Sequence, residues 1–215
     1  SILDQTPIPA GSTAPQAIAN TIDLAVHAES FGYNRYWVAE HHSMPGIASS
    51  ATAVALAHVA AGTERIRLGS AVTVLSSDDP IRVFQRFATL DAVSGGRAEV
   101  ILGRGSFIES FPLFGYDLND YDELFTEKLL LLLELRASER ISWSGKHRAP
   151  IENRGVYPRP LQDPLPVWIG VGGTPQSVVR AGHRGLPVAL AIIGGSPERF
   201  AVFGELHRRS LREAG

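Results

Sequence analysis

The feature that most constrains this chain is a rhythm. Short apolar runs alternate with longer stretches of helical periodicity from one end to the other. Val167-Trp168-Ile169-Gly170-Val171 and Val188-Ala189-Leu190-Ala191-Ile192-Ile193 contain no polar side chain at all. A strand with one wet face alternates apolar and polar residues, whereas a strand covered on both faces reads as these do. Strands separated by helices run parallel and are joined by right-handed crossovers. The expected strands are residues 1–3, 35–39, 66–74, 98–102, 167–171 and 188–193. The expected helices are residues 16–31, a stretch capped by Ser49 or Ser50 that ends near 61, then 80–93, 121–140, 175–185, and a last one opened by Ser196-Pro197. Asp79 before Pro80 gives the third helix an N-cap followed by proline at its first position. The reading is α/β, a single domain over 1–215 with about six βα units. Residues 142–166 break the rhythm with Trp143, Gly145, Gly155, Pro158, Pro160, Pro164 and Pro166, and read as an excursion with a hairpin around Ser144-Gly145-Lys146.

Charge and composition narrow the function classes. The formal net charge is −2, and the densest basic cluster, Arg208, Arg209 and Arg212, reads as a solvated last helical turn. Nucleic-acid binding needs a basic stripe or patch, so a nucleic-acid partner is not expected. There is no cysteine, which excludes disulfides and thiolate metal sites and fits a cytoplasmic location. The longest strongly apolar run, Leu129 to Leu133, is too short to cross a bilayer, and no secretory leader is visible.

In parallel α/β folds the site forms where the strands end. The second expected strand ends in Ala39-Glu40-His41-His42, and the third leads toward Ser76-Ser77-Asp78-Asp79. The fourth ends in Gly103-Arg104-Gly105-Ser106, the fifth in Gly172-Gly173-Thr174 and the sixth in Gly194-Gly195-Ser196. Adjacent residues on a strand point to opposite faces, so His41 and His42 do not readily share a metal ion, and no metal site is expected. A structural histidine and a catalytic, cofactor-contacting histidine both remain open, the second favoured by the neighbouring Glu40. A strand that runs straight into a helix start at Thr174-Pro175 offers free N–H groups and a helix dipole to an anion. Thr174 and Ser177 add hydroxyls, and Arg104 at a neighbouring strand end supplies a cation. The same turn is also what an ordinary capped helix would show. Both Gly-x-Gly runs, from Gly170 and from Gly103, lack the third glycine of the dinucleotide fingerprint. Phe107, Phe111, Phe114 and Tyr116 crowd one loop, either to wall an apolar pocket or to anchor the loop.

Several of these runs resemble one family. Glu40-His41-His42 with Met44-Pro45-Gly46 is similar to the strand-end signature of luciferase-like flavin monooxygenases. So are Arg67-Leu68-Gly69-Ser70-Ala71-Val72 leading to Asp79-Pro80-Ile81-Arg82, Gly95-Gly96-Arg97 with Leu102-Gly103-Arg104-Gly105, and Leu3-Asp4-Gln5-Thr6-Pro7-Ile8. The resemblance covers the chain in order. It implies a TIM-type (β/α)8 barrel and an oxidoreductase, a monooxygenase using reduced FMN and O2 on a small organic substrate. A deazaflavin coenzyme with hydride transfer and a non-catalytic flavin-binding protein are the alternatives. By matching position, His41 beside Glu40 is the catalytic residue near the flavin ring. Ala71-Val72 is a strained, in some members cis, peptide beneath that ring. Arg104, Gly172, Gly173, Thr174 and Ser177 are phosphate-side contacts. Gly103 stands where luciferase proper has a reactive cysteine, which argues against the light-emitting branch. Gly173 stands where luciferase has an acidic residue. The resemblance also implies a homodimer and a separate flavin reductase that supplies reduced flavin. Eight strands close such a barrel and six are visible, so the chain is expected to be truncated at its C-terminus, or else to be a short member that covers its open edges by dimerising.

Overall fold

The computed structural model describes residues 1–105, 107–193 and 196–215. Ser106, Gly194 and Gly195, placed by the sequence at the fourth and sixth strand ends, lie outside the described residues. The first half of the chain runs β1 (Ile2–Asp4), α1 (Ala14–Ser30), β2 (Arg35–Val38), α2 (Thr52–Ala61), β3 (Arg67–Val74), α3 (Pro80–Val93) and β4 (Ala98–Gly103). The second half runs α4 (Ser110–Phe114), α5 (Tyr121–Ala137), β5 (Arg140–Trp143), β6 (Ile151–Gly155), β7 (Val167–Val171), α6 (Pro175–His183), β8 (Val188–Leu190) and α7 (Ala201–Glu213). Six strands form one parallel sheet in the order β1-β2-β3-β4-β7-β8, curled into a partial barrel. Among the described residues its two edges are β1 and β8.

The sheet holds its shape by opposite means on its two faces. Tyr36, Val38, Leu68, Val100, Leu102, Ile169 and Val171 pack against Ala25, Leu56, Phe87, Phe125, Leu129 and Val178 of the helices in one continuous core. Each such large side chain, once buried, contributes about 1.5–3 kcal/mol. The alternate residues turn to the other face, where Trp37, Gly69 and Glu99 lie in register across β2, β3 and β4. Glu99 is 1% exposed and accepts from Arg35 Nε at 3.0 Å, Trp37 Nε1 at 2.7 Å and Arg67 Nε at 3.1 Å. Gly69 is required beside this cluster, because a side chain there would meet the Glu99 backbone oxygen at 2.9 Å. Arg97 of the Gly-Gly-Arg run is a fastener: it donates to the carbonyls of Ser94, Ile66, Ala60 and Thr63. It thereby ties the end of α2 to the starts of β3 and β4. Asp4 does the same at β1, accepting from Thr6 N, Thr21 Oγ1 and the Tyr36 hydroxyl.

Most element boundaries match the sequence reading; α1 starts at Ala14 rather than 16, Ser196-Pro197 opens a 3-10 turn rather than α7, which starts at Ala201, and others differ for local reasons. The helix expected over 121–140 stops at Ala137, because Ser138 is extended and Arg140 already pairs with Gly155. The excursion therefore begins at Arg140 rather than 142, and β5 and β6 form an antiparallel hairpin around residues 144–150. Neither Ser49 nor Ser50 caps α2; its N-cap is Ala51, without a side-chain cap. The strand expected over 188–193 ends at Leu190, although Ala191 N still donates to Val171 O. Asp79 caps α3 as expected, accepting from Ile81 N at 2.9 Å and Arg82 N at 3.1 Å.

Candidate functional site

The sheet order places the singled-out residues along one rim. β2, β3, β4 and β7 are consecutive neighbours, and their C-terminal ends lead into Glu40-His41-His42, Ser76-Ser77, Arg104 and Gly172-Gly173-Thr174. Three inter-strand steps span roughly 14 Å of rim.

The histidine end is built on β2. Glu40 Oε1 accepts from His42 Nε2 at 3.1 Å and from Val74 N at 3.4 Å, so one carboxylate links the ends of β2 and β3. That bond raises the pKa of His42, against the opposing effect of its burial. Burial lowers the pKa of His41, despite Glu109 Oε1 lying 4.0 Å from its Nδ1. His41 is therefore neutral at neutral pH, with one ring nitrogen to donate and one to accept. The aromatic loop divides its labour. Phe107 meets His41 edge-on at 5.1 Å and Phe114 meets His42 at 4.9 Å, and both phenyl rings are exposed on their other side. Phe111 is fully buried and anchors the loop against Tyr121.

The middle of the rim is Ala71-Val72 on β3, whose peptide bond is cis. The pairing of β3 with β4 shifts register between Ala71 and Thr73. The Val72 side chain lies against two glycines. A β-carbon on Gly103 would stand 2.6 Å from Val72 Cγ2, and one on Gly170 would overlap Val72 Cγ1.

At the arginine end Thr174 is the N-cap of α6, but its hydroxyl makes no cap bond. Thr174 Oγ1 instead accepts from Arg104 Nη2 at 3.1 Å. Arg104 also pairs through Nη1 with Asp122 and stacks over Tyr121 at 5.1 Å. Ser177 is buried one turn along α6. Gly173 has φ 123°, and a β-carbon on Gly172 or Gly173 would meet nothing within 4 Å, so the turn has room for a ligand. One turn further, Arg180 stacks over Phe125 at 5.5 Å, and its buried Nη1 has no partner among the described residues. These features fit the phosphate of a cofactor: cations, hydroxyls and an open glycine turn converge, with an orphaned donor beside them.

The structure thus brings Glu40 and His41 to one end of the rim and Arg104, Gly172, Gly173, Thr174 and Ser177 to the other, with Val72 between. Sequence reasoning missed Asp122, Glu109, Arg180 and Lys128. The spacing of Thr174, Ser177 and Arg180, three residues apart on one helix, is the signal that could have found Arg180. Lys128 is buried, donates to Ser76 O at 2.7 Å and sits 3.8 Å over Tyr116, and burial pushes its pKa down to about 8. Among the described residues one trio, Asp120, Glu123 and His147, brings three possible metal-ligand atoms within 4.8 Å of one another. Lys146 Nζ already occupies Glu123 at 2.7 Å. No described helix is long and apolar enough to cross a membrane.

A curled parallel sheet with helices on one face and its polar residues on the C-terminal rim defines the class, a parallel α/β barrel fold. The chain belongs to the luciferase-like monooxygenase family, whose model matches residues 1–215. It is 36% identical over 194 residues to a luciferase-like monooxygenase of Escherichia coli K12, covering 89% of this chain and 54% of that protein. It is 35% identical over 201 residues to the N-acetyl-S-alkylcysteine monooxygenase of Bacillus subtilis, covering 92% of this chain and 58% of that protein. The crystal structure of the monooxygenase RslO1 from Streptomyces bottropensis superposes with a TM-score of 0.89 at 27% identity, over 98% of this chain and 64% of that one. The FMN complex of the oxygenating constituent of 3,6-diketocamphane monooxygenase from Pseudomonas putida shares the fold at a TM-score of 0.83 and 18% identity, over 100% of this chain and 62% of that one. An F420-dependent secondary alcohol dehydrogenase does so at 0.78 and 21%, over 92% and 61%. The chain spans between half and two thirds of the length of each.

Proposed function

We propose that this chain is the cofactor-binding part of a flavin-dependent monooxygenase that uses reduced FMN and O2 on a small organic substrate. The observation that carries the reading is the coupling of Arg104 to Thr174 beside the Gly172-Gly173 turn, on the same rim as a half-buried His41. Arg104, Gly172, Gly173, Thr174 and Ser177 would hold the phosphate, and Ala71 and Val72 would meet the ring. Reduced FMN, when bound, supplies the electrons that reduce O2, one oxygen atom of which enters the substrate. His41 hydrogen-bonds or moves a proton at the reactive edge, where a neutral imidazole both donates and accepts. Glu40 acts through its neighbours, holding His42 and the Val74 amide so that the β2 and β3 ends keep their spacing. Phe107 and Phe114 give the substrate an apolar wall and exclude water from the histidines.

A deazaflavin coenzyme carries a comparable ring and phosphate, and hydride transfer is the second reading. Anaerobic titration with reduced FMN and with the reduced deazaflavin separates the two. Oxygen uptake over aldehydes, alkanes and thioethers then finds the substrate class. Tight binding of reduced FMN with no oxygen uptake on any substrate would leave a flavin-binding protein without this activity. Full turnover in His41→Ala would remove His41 from the mechanism. A homodimer and a separate flavin reductase belong to the same reading, and sedimentation of the protein with and without a reductase tests both.

A further inference from the structure

Arg180 is poorly explained as a structural residue. Its ring stack over Phe125 uses the guanidinium face and leaves the buried Nη1 donor unsatisfied among the described residues. A buried donor without a partner is costly and asks for one. Its charged surroundings are also adverse. Burial, and then the like charge of Arg104, lower its pKa, with Asp122 acting the other way as a countercharge.

Asp122 is itself an unusual partner. Its side chain is 71% exposed, while the Arg104 side chain it meets is 20% exposed. The carboxylate reaches in from the water side to a guanidinium rooted at the rim. Asp122 and Phe125 are three residues apart on α5, so they share the face that carries the Arg180 stack. Arg104 and Arg180 are therefore linked across α5 and α6: Arg104 meets Asp122 on α5 and Thr174 at the start of α6, and Arg180, one turn beyond Ser177 on α6, meets Phe125 on α5.

We infer that Arg104 and Arg180 form a two-arginine cradle for the anionic end of the cofactor, and that Asp122 is an internal anion which that end must displace. The inference rests on the proposed phosphate site and deepens it: Arg180 is a binding residue, and Asp122 sets the threshold of affinity. An exposed ion pair is weak, whereas a phosphate monoester offers three strong acceptors and up to two charges to a pair of guanidinium forks. The exchange therefore favours the phosphate. It also discriminates, because a ligand lacking the phosphate cannot dislodge the carboxylate and gains nothing from Arg180.

The test is equilibrium binding of FMN, riboflavin and inorganic phosphate to the full-length protein and to Arg180→Gln, Arg180→Lys and Asp122→Asn. Arg180→Gln is expected to weaken FMN at least tenfold while riboflavin changes less than twofold. Arg180→Lys, which keeps the charge but not the fork, falls between. Asp122→Asn tightens FMN and inorganic phosphate severalfold and leaves riboflavin unchanged. Equal changes for FMN and riboflavin in Arg180→Gln, or weaker FMN binding in Asp122→Asn, would overturn the cradle with the flavin reading intact. If Arg180→Gln does not fold, Asp122→Asn decides alone, because its substitution lies on an exposed side chain. If neither flavin binds the parent protein, the flavin reading fails. The cradle then stands only if inorganic phosphate still binds and tightens in Asp122→Asn.

Discussion

Val72 is wedged between two glycines, and replacing one of them measures how tightly. In Gly103→Ala the new methyl would sit 2.6 Å from Val72 Cγ2 and 2.9 Å from both Val72 Cβ and Cγ1. Ordinary carbon contacts are about 3.5–4.0 Å, so Val72 must retreat by roughly 1 Å. A β-branched side chain has few alternative rotamers, and the Gly170 side is already filled by Cγ1, so the retreat falls on the backbone of β3. Overpacking of this kind costs about 1–3 kcal/mol. Gly103 has an ordinary negative φ, so alanine also stiffens the unfolded chain, a gain of about 0.4–1 kcal/mol. The overlap is the larger effect, and a net loss of about 1–2 kcal/mol is expected. Val72→Ala in the same protein removes the obstacle. The double variant should therefore be more stable than the sum of the single losses by about 1–2 kcal/mol. Urea midpoints of the parent, both single variants and the double variant measure this at constant slope. The flavin readout is separate: if Val72 meets the ring as proposed, Gly103→Ala should weaken FMN and riboflavin equally. Additivity within 0.5 kcal/mol, or a loss confined to FMN, would refute the reasoning.

Arg104→Ala should show the opposite selectivity. A charge-assisted contact contributes about 1.5–3 kcal/mol, so FMN should bind about ten- to a hundredfold more weakly and riboflavin almost as before, by fluorescence titration. Glu99→Gln removes the charge, 1% exposed, that Arg35 and Arg67 share from positions about 30% exposed, and should cost about 1–3 kcal/mol of stability by denaturant midpoint. The His42–Glu40 bond raises the folded pKa of His42 above its ordinary value of about 6.5. Its contribution to stability is fully present below that ordinary value and is lost as pH rises through the raised one. Glu40→Gln should flatten that part of the stability–pH curve, and a curve unchanged by the substitution would remove the bond from the account.

What could be read from the sequence follows from how local each signal is. The strands of the parallel sheet were legible as unbroken apolar runs, and Val167–Val171 is placed to the residue, yet its burial alternates and Val188–Leu190 is only half-buried, so the second face is not covered as the run implied. The Asp79-Pro80 cap was legible because its geometry lies within four residues. The meeting of Arg104 with Thr174 was legible only through the rule that strand ends converge. Residues 137–140 misled because Ser138, Glu139 and Arg140 tolerate a helix, and only pairing with Gly155 makes them a strand. Asp122 gave no signal of its own, since an exposed aspartate is ordinary until α5 and α6 are set side by side, and Arg180 gave only its spacing from Thr174 and Ser177. The Gly95-Gly96-Arg97 run carried the family resemblance, yet Arg97 acts here as a fastener of backbone carbonyls.

The hairpin of β5 and β6 has a core of its own. Ile141 and Val156 pack on Phe84, Ala88, Leu131 and Leu135, apart from the cluster that joins the helices to the parallel sheet. Beyond that packing, Arg148 Nη1 bonds Asp79 Oδ2 at 3.2 Å, and Glu127 accepts the amides of Lys146 and His147. None of these links runs through the six-stranded sheet. The hairpin is therefore expected to behave as a separate cooperative unit that opens and recloses while the rim stays assembled. In native-state hydrogen exchange its amides should form a distinct class that opens at lower free energy than those of β3 and β4. Mild denaturant should merge the two classes only near global unfolding. Because the hairpin enters between β4 and β7 in the chain but not in the sheet, its opening lengthens the tether between Arg104 and Thr174 without parting them.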